Sequence, residues 1–527
     1  MVNEERYDVV VVGSGGGLFG ALAAASRGLR TLVIDKADHL GGTTAYSGAG
    51  IWFPANAAIL RAGIPDTLDA GREYLNDIVG DDAPRDLQEA YLQAGPPLID
   101  ELEANPAIGP FEWRSIPDYF EGRPGFEKRG RTIFPAPIAR SELGELEALV
   151  RRPLWTDRWG TDPGEVMVGG QALIGRALVA LMATGNATVR VGTALSGLVM
   201  DGDRVIGVDA VSEGEPVRYL AERGVLLATG GYERNRELRQ RYHPPLTDEW
   251  TSGCPENTGD ALVAAQAVGA DTALLDEAWF APGVVTPTGG PVFYTMVWAG
   301  IWVNAAGERF MNERLPYDRA GHELMRIHNS SGVSNIPAHW VFDQRQVDHD
   351  GFRMLPVDPP VPDWFDVDRW LEAGVLHRAD TLEELAGLIG VPADALVATV
   401  EEYNGFARSG VDEAFGRGES PWDRVIANVV EPFTDGPNKC LGVMDSPPYY
   451  AAQVVVTDLG TKGGVRTDER ARVLRPDGSV IEGLYASGNT MAPATGRIYP
   501  GAGGPIGCAM AFSWIAALDM AGEQPPP

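Results

Sequence analysis

Near the C-terminus the chain reads GLYASGNTMAPATGRIYPGAGGPIGCAMAF, Gly483 to Phe512, with seven glycines and three prolines. It feeds an Ala-rich run of helical composition, Gly507 to Met520. A Gly-rich loop entering a helix aims several backbone N–H groups and a positive dipole end at one point. The stretch is therefore read as a cradle for an electron-rich group, the alternative being a tight surface turn. So long a loop has a poor structural excuse inside a compact domain. One bulky polar side chain, Tyr499, stands in its middle. Two other tyrosines stand out, the first of them in a loop. Tyr119 lies in the aromatic stretch FEWRSIPDYFEGRPG, Phe111 to Gly125, and Tyr317 directly follows Pro316 in GERFMNERLPYDRAG, Gly307 to Gly321. A phenol can donate to developing negative charge. With a pKa of about 10 it becomes a useful base only if its phenolate is stabilised. Packing is the competing reading for Tyr119.

The N-terminus supplies the scaffold. Tyr7 to Val12, YDVVVV, is the pattern of a parallel strand buried on both faces. Gly13, Ser14, Gly15, Gly16 and Gly17 follow at once, then a helical run, then a second strand from Arg30 to Ile34 that ends in Asp35. This is a βαβ unit whose glycines let a pyrophosphate approach the helix N-terminus, with an acid placed for a ribose. The last fingerprint position is Leu18, and the next glycine is Gly20, so helix–strand packing is expected to differ there. The loop DKADHLGGTTAYSGAGIWFP, Asp35 to Pro54, is more typical of FAD enzymes than of NAD dehydrogenases. Gly42, Thr43, Thr44, Ser47 and Gly48 are its candidate contacts.

Asp66 to Leu102 reads as helical, and Val166 to Met182 as a glycine loop and helix. Ala187 to Val211 reads as a β-meander, and GVLLATGGYERN, Gly224 to Asn235, as a buried strand ending in Thr-Gly-Gly. After Asp276 aromatics cluster. Trp279, Phe280, Phe293, Tyr294, Trp298 and Trp302 either line an apolar pocket or form core. Leu371 to Phe406 reads as helical, broken at Val391-Pro392, and strand signals return from Pro448. The expected architecture is α/β. A discontinuous Rossmann-like domain, residues 1–276 and 447–527 with the β-meander as an insert, is joined to an α+β catalytic domain, 277–446.

Bulk properties exclude several classes. At 527 residues two or three domains are expected, and a net charge of −30 argues against nucleic acid and anionic membrane as main partners. Three scattered cysteines make neither a disulfide framework nor a metal site. No window has 18 uninterrupted apolar residues and no signal-peptide pattern opens the chain, so the expected location is cytoplasmic, with peripheral membrane association left open.

The segments VVVVGSGGG, GGTTAYSGAGIWFP, IPDYF, RFMNERLPYDR, YNGFARSGVDEAFGR, DLGTKGG and GLYASGNTMAPATGRIYPGAGGPIG together resemble the 3-ketosteroid Δ1-dehydrogenase family over essentially the whole chain. Within the wider flavoprotein superfamily of fumarate reductases and 3-ketosteroid dehydrogenases, the NExxPY and YPGAG segments discriminate. The resemblance implies non-covalent FAD and oxidation of the carbon 1–carbon 2 bond of a 3-ketosteroid. It assigns Tyr499 and the Gly503 N–H to polarising the ketone. Tyr317 is assigned to taking the carbon 2 proton, with Tyr119 stabilising its phenolate, and hydride passes from carbon 1 to flavin N5. It implies FAD contacts at Gly13 to Gly17, Asp35, Lys36, Gly42, Thr43, Thr44, Ser47, Gly48, Ala194, Ala228, Thr229, Gly230, Gly488, Asn489, Gly504, Pro505 and Ile506. The partners it implies are a 3-ketosteroid and an external electron acceptor of quinone or dye type. The alternatives are a dehydrogenase of the carbon 4–carbon 5 bond of 5α-3-ketosteroids, a fumarate-reductase-like flavoenzyme using Arg309, Arg314, Arg319 and His322, and a non-catalytic flavin-binding protein.

Overall fold

The computed structural model describes residues 3–526 except 245, 248, 294–299, 351–365, 430–433 and 435. The chain forms two compact units. One comprises Met1–Pro245, Gly253–Ala278 and Gly460–Pro527, the other Leu246–Ser252 and Trp279–Leu459.

In the first unit the apolar runs pair side by side. Val480–Ala486, Glu215–Leu227, Asn3–Val12, Thr31–Ile34 and Ala187–Arg190 are consecutive parallel strands, with Arg472–Leu474 antiparallel at one edge. Val9, Val10, Val11, Leu32, Val33, Leu226 and Leu227 are fully buried, so these strands show no apolar–polar alternation. Glu215–Leu227 has two roles. Its first half closes a meander with Arg204–Ser212 and Thr193–Asp201, and its end lies between Asn3–Val12 and Val480–Ala486.

The helix Gly17–Ser26 packs on the C-terminal helix Gly504–Ala521. The absent glycine at position 18 is explained by its neighbours. A Cβ on Gly17 would lie 2.9 Å from Val11 Cγ1, and one on Gly20 2.8 Å from the Ser513 carbonyl oxygen. Gly17 thus serves the helix–strand approach, Gly20 the helix–helix approach, and Leu18 is core. The C-terminal helix starts at Gly504, three residues before the Gly507 its composition suggested. Pro505 belongs to its first turn, where a missing N–H costs nothing. It is long and apolar enough to cross a membrane, but 78% of it is buried in this unit, as for a core helix.

The second unit holds a six-stranded sheet. Pro291–Phe293, Ala278–Val285, Tyr449–Thr461, Ala338–Asp343 and Ile301–Val303 are in order, and Leu376–Ala379 also pairs with Tyr449–Thr461. One boundary and one element differ from the pattern reading. The return to the first unit comes at Gly460 rather than 447, because Tyr449 to Val454 pair with Ala338–Asp343. Leu376–Ala379, inside a stretch read as helical, is a strand because tertiary pairing with Tyr449 to Ala452 outweighs its local pattern. Trp279, Phe280 and Trp302 are buried, and Phe293 is half-buried. Tyr294 and Trp298 lie outside the described residues.

Candidate active site

In the first unit the glycine loops converge as their spacing implies. Gly13 has φ +98°, and a Cβ there would lie 2.3 Å from the Ala228 carbonyl oxygen, so the first loop and the Ala228–Thr229 strand end meet at van der Waals distance. Ser14 donates from both N–H and Oγ to Asp35 Oδ2, and its Oγ accepts from the Gly41 N–H at 2.8 Å. The other Asp35 oxygen accepts from Ala37 N–H at 2.9 Å. Burial raises the Asp35 carboxyl above the usual carboxylate range, against the lowering effect of the Ser14 bond. Thr193 N–H donates to the Asp35 carbonyl at 2.8 Å, placing Ala194 beside the end of the second strand. Lys36 is turned onto Asp260, 2.7 Å away, and onto Thr258.

The Gly42–Tyr46 turn is braced from outside. Thr43 Oγ1 accepts from Cys254 N–H at 3.0 Å and Asn257 Nδ2 at 3.1 Å, while Ser47 Oγ donates to the Thr44 carbonyl at 2.7 Å. Thr44 faces Gly15, and the space beside Gly48 is open for at least 4 Å around a built Cβ. Asn489 stands in the short 3₁₀ turn Gly488–Thr490, whose Thr490 Oγ1 donates to the Gly230 carbonyl at 3.0 Å. The helices Gly17–Ser26 and Gly504–Ala521 both begin on glycine, with no side-chain cap and no acid in the first turn. Their first N–H groups form a donor set without a competing anion, which fits a pyrophosphate and an electron-rich ring edge.

Tyr119 and Tyr499 come together in this unit. Their ring centroids are 5.3 Å apart, and both side chains are buried. Gly503 N–H donates to the Tyr499 hydroxyl oxygen across 3.4 Å, so two groups able to donate to one acceptor are neighbours. Gly503 has φ +99°, and a Cβ there would fall 2.2 Å from the Gly50 carbonyl carbon. Only glycine can bring its N–H to this point. The loop is tied by its carbonyls: Thr132 Oγ1 donates to Ala502 at 2.7 Å, and Tyr119 N–H to Pro500 at 3.0 Å.

Beneath the loop is a cluster the sequence did not announce. Arg131 Nε and Nη2 reach the two Asp66 oxygens at 2.9 Å each, and Nη1 reaches Asp118 Oδ2. Trp52 Nε1 donates to Asp118 Oδ1 at 2.8 Å. Burial pushes the Asp118 carboxyl up to about 6, although Arg131 pulls it down.

Tyr317 belongs to the second unit. It is the first residue of the helix Tyr317–Ser330, behind Pro316, half-buried and edge-on to Phe293 at 4.8 Å. A helix N-terminus favours negative charge nearby. The chain leading to it is pinned by Arg309, which pairs with Glu313 at 2.7 Å and Asp412 at 2.8 Å, and Arg417 lies 3.4 Å from Glu313. Burial alone would raise the Glu313 carboxyl, but Arg309 and Arg417 hold it below the usual range.

An FAD binding domain family matches residues 8–506. The 3-oxosteroid 1-dehydrogenase of Mycolicibacterium smegmatis is 40% identical over 98% of this chain and 97% of its own. The chain belongs to the 3-ketosteroid Δ1-dehydrogenase family. The 3-ketosteroid Δ1-dehydrogenase of Sterolibacterium denitrificans, solved with 1,4-androstadiene-3,17-dione, superposes with a TM-score of 0.90 at 33% identity, covering 98% of this chain and 99% of that one. The 4-oxocyclohexanecarboxylate 2-dehydrogenase of Sinomonas cyclohexanicum is 34% identical over 98% of this chain and 93% of its own. The cofactor of the family is FAD, and the cradle above has the donor set it needs.

Proposed function

We propose that this protein is an FAD-dependent 3-oxosteroid 1-dehydrogenase, which introduces a carbon 1–carbon 2 double bond into the A-ring of a 3-ketosteroid. The adjacency of the Tyr499 hydroxyl and the Gly503 N–H supports the reading. A ketone oxygen within reach of both, replacing the Tyr499 oxygen as acceptor of the Gly503 N–H, would accept two hydrogen bonds, and these would strengthen as enolate charge develops. One such donor is worth roughly 10²–10³ in rate. Tyr317 takes the carbon 2 proton, now more acidic, assisted by Tyr119. Hydroxyls suit an apolar substrate, because an ionised carboxylate beside it would be costly to desolvate. FAD, when bound, supplies the acceptor for the hydride that leaves carbon 1. Gly13 to Gly17 and Gly42 to Gly48 would hold its pyrophosphate side, Asp35 and Ala194 its adenosine end, and Gly488, Asn489 and Gly504 to Ile506 its ring system. An external acceptor of quinone or dye type closes the cycle.

The relative that acts on 4-oxocyclohexanecarboxylate supports a second reading with the same chemistry on a smaller ring ketone. Anaerobic mixing separates the two. Androst-4-ene-3,17-dione should bleach the flavin absorbance and yield a product two hydrogens lighter. Bleaching by 4-oxocyclohexanecarboxylate alone would select the second reading, and bleaching by neither would reject both.

A further inference from the structure

We propose that Tyr74 is a positioning residue whose hydroxyl clamps the Tyr119 segment onto the Tyr499–Gly503 loop and so sets the separation of the two phenols. The inference rests on the roles given above to Tyr499 and Tyr119.

Tyr74 is fully buried on the helix Leu68–Val79. Its hydroxyl donates to the Pro500 carbonyl at 2.7 Å and accepts from the Phe120 N–H at 3.1 Å. Pro500 is next to Tyr499, and Phe120 is next to Tyr119. The same carbonyl also accepts from the Tyr119 N–H at 3.0 Å, so both of its lone pairs are used. One hydroxyl therefore joins the main chains that carry the two phenols. Burial keeps the Tyr74 phenol protonated, and hence a donor, across the working pH range.

The ring itself is fixed from behind. The Arg131 guanidinium lies 5.6 Å from its centroid and is held by Asp66 and by Asp118, the residue before Tyr119. A Cβ on Gly125 would lie 2.8 Å from Tyr74 N, so the loop carrying Tyr119 lies directly against this helix. A phenylalanine at position 74 would fill the same space but could make neither bond. It would leave the Phe120 N–H to find another acceptor and the loop free to shift by fractions of an ångström. Misplacement on the 1 Å scale costs roughly 10²-fold in rate.

Tyr74→Phe in the FAD-loaded enzyme is the test. Flavin reduction by androst-4-ene-3,17-dione in anaerobic single turnovers should slow roughly 10- to 100-fold. Steroid Kd and FAD content should stay close to wild type. In a Tyr119→Phe background the further loss should shrink to less than about threefold, because no second phenol remains to be placed. Tyr74→4-aminophenylalanine, which keeps a group able to donate and accept, should recover most of the rate. An unchanged reduction rate accompanied only by a lower Tm would overturn the proposal. So would an equal loss in the Tyr119→Phe background, or an aminophenylalanine variant as slow as Tyr74→Phe. Tyr499→Phe, run in parallel, separates the two levels. If it reduces flavin at wild-type speed, the polarising role itself fails. If it is slow and Tyr74→Phe is not, only the clamp fails.

Discussion

Each unit buries an arginine–carboxylate cluster near one of the proposed functional tyrosines, and the two clusters differ in stoichiometry. In the first, one guanidinium, Arg131, serves two carboxylates, Asp66 and Asp118. In the second, Arg309 and Arg417 serve Glu313 and Asp412. The consequence is opposite. Asp118 is pushed up by burial to about 6, while Glu313 and Asp412 are held below the usual carboxylate range by their arginines. Equal burial thus does not mean equal ionisation. The ratio of cations to anions decides. The tyrosines differ in parallel. Tyr119 and Tyr499 are buried and belong to loops tied by main-chain carbonyls, as suits donors that must not move while charge develops. Tyr317 is half-buried at a helix N-terminus, where a group that changes its protonation state each turnover has favourable electrostatics.

Four experiments probe this contrast. The largest effect is expected for Tyr317→Phe, which removes the base and should lower kcat by roughly 10²–10⁴ with little change in steroid Kd. Steady-state kinetics beside a binding titration will show whether the loss is in turnover alone. Tyr499→Phe should cost roughly 10²–10³ in the rate of flavin reduction. A variant within twofold of wild type would remove Tyr499 from the charge-stabilising pair. Arg131→Met leaves two buried carboxylates without their cation and should destabilise the protein by about 3–5 kcal/mol, read by urea unfolding. A loss below about 1 kcal/mol would mean the cluster relaxes into water.

The smallest effect is a pH dependence. Asp118 has a native pKa above its unfolded value, so its stabilising contribution is present at low pH and is lost as pH rises through about 6. Wild type should therefore gain stability relative to Asp118→Asn as pH falls from about 7 to about 5. Glu313 behaves oppositely. Its contribution is present above its unfolded pKa and is lost only as pH falls below the usual carboxylate range. The difference between wild type and Glu313→Gln should thus hold steady over the same window. Melting curves of the three proteins at both pH values test the pair. Parallel behaviour of the two variants would contradict the stoichiometry argument.

The glycine loops proposed to hold the cofactor were legible in the sequence because backbone approach to a phosphate demands glycine, and Gly13 to Gly17 follow a buried β-branched strand directly. Tyr119 and Tyr499 were legible as loop residues and Tyr317 only as the residue after Pro316, where a helix in fact begins, and the roles proposed for the three came from the IPDYF, NExxPY and YPGAG segments. The Arg131 cluster was not. Its members are apart in the chain, Asp66 and Arg131 by 65 residues, and neither has a local pattern that separates a buried ion pair from a solvated one. Tyr74 was hidden for the same reason, since on an amphipathic helix it reads as ordinary core. The domain edge at Gly460 was missed because Tyr449–Thr461 carries one continuous strand pattern across it. The resemblance implies a cofactor contact for Lys36, and the salt bridge it makes to Asp260, remote in sequence, has no local signal.

In the proposed mechanism the ketone is polarised by Tyr499 and Gly503 while Tyr317 removes the carbon 2 proton. Loss of deuterium to water from a steroid labelled at carbon 2 tests it most directly, followed together with flavin reduction in wild type, Tyr499→Phe and Tyr317→Phe. In each variant deuterium release and flavin reduction should slow by the same factor. Deuterium release at the wild-type rate in either variant would contradict it.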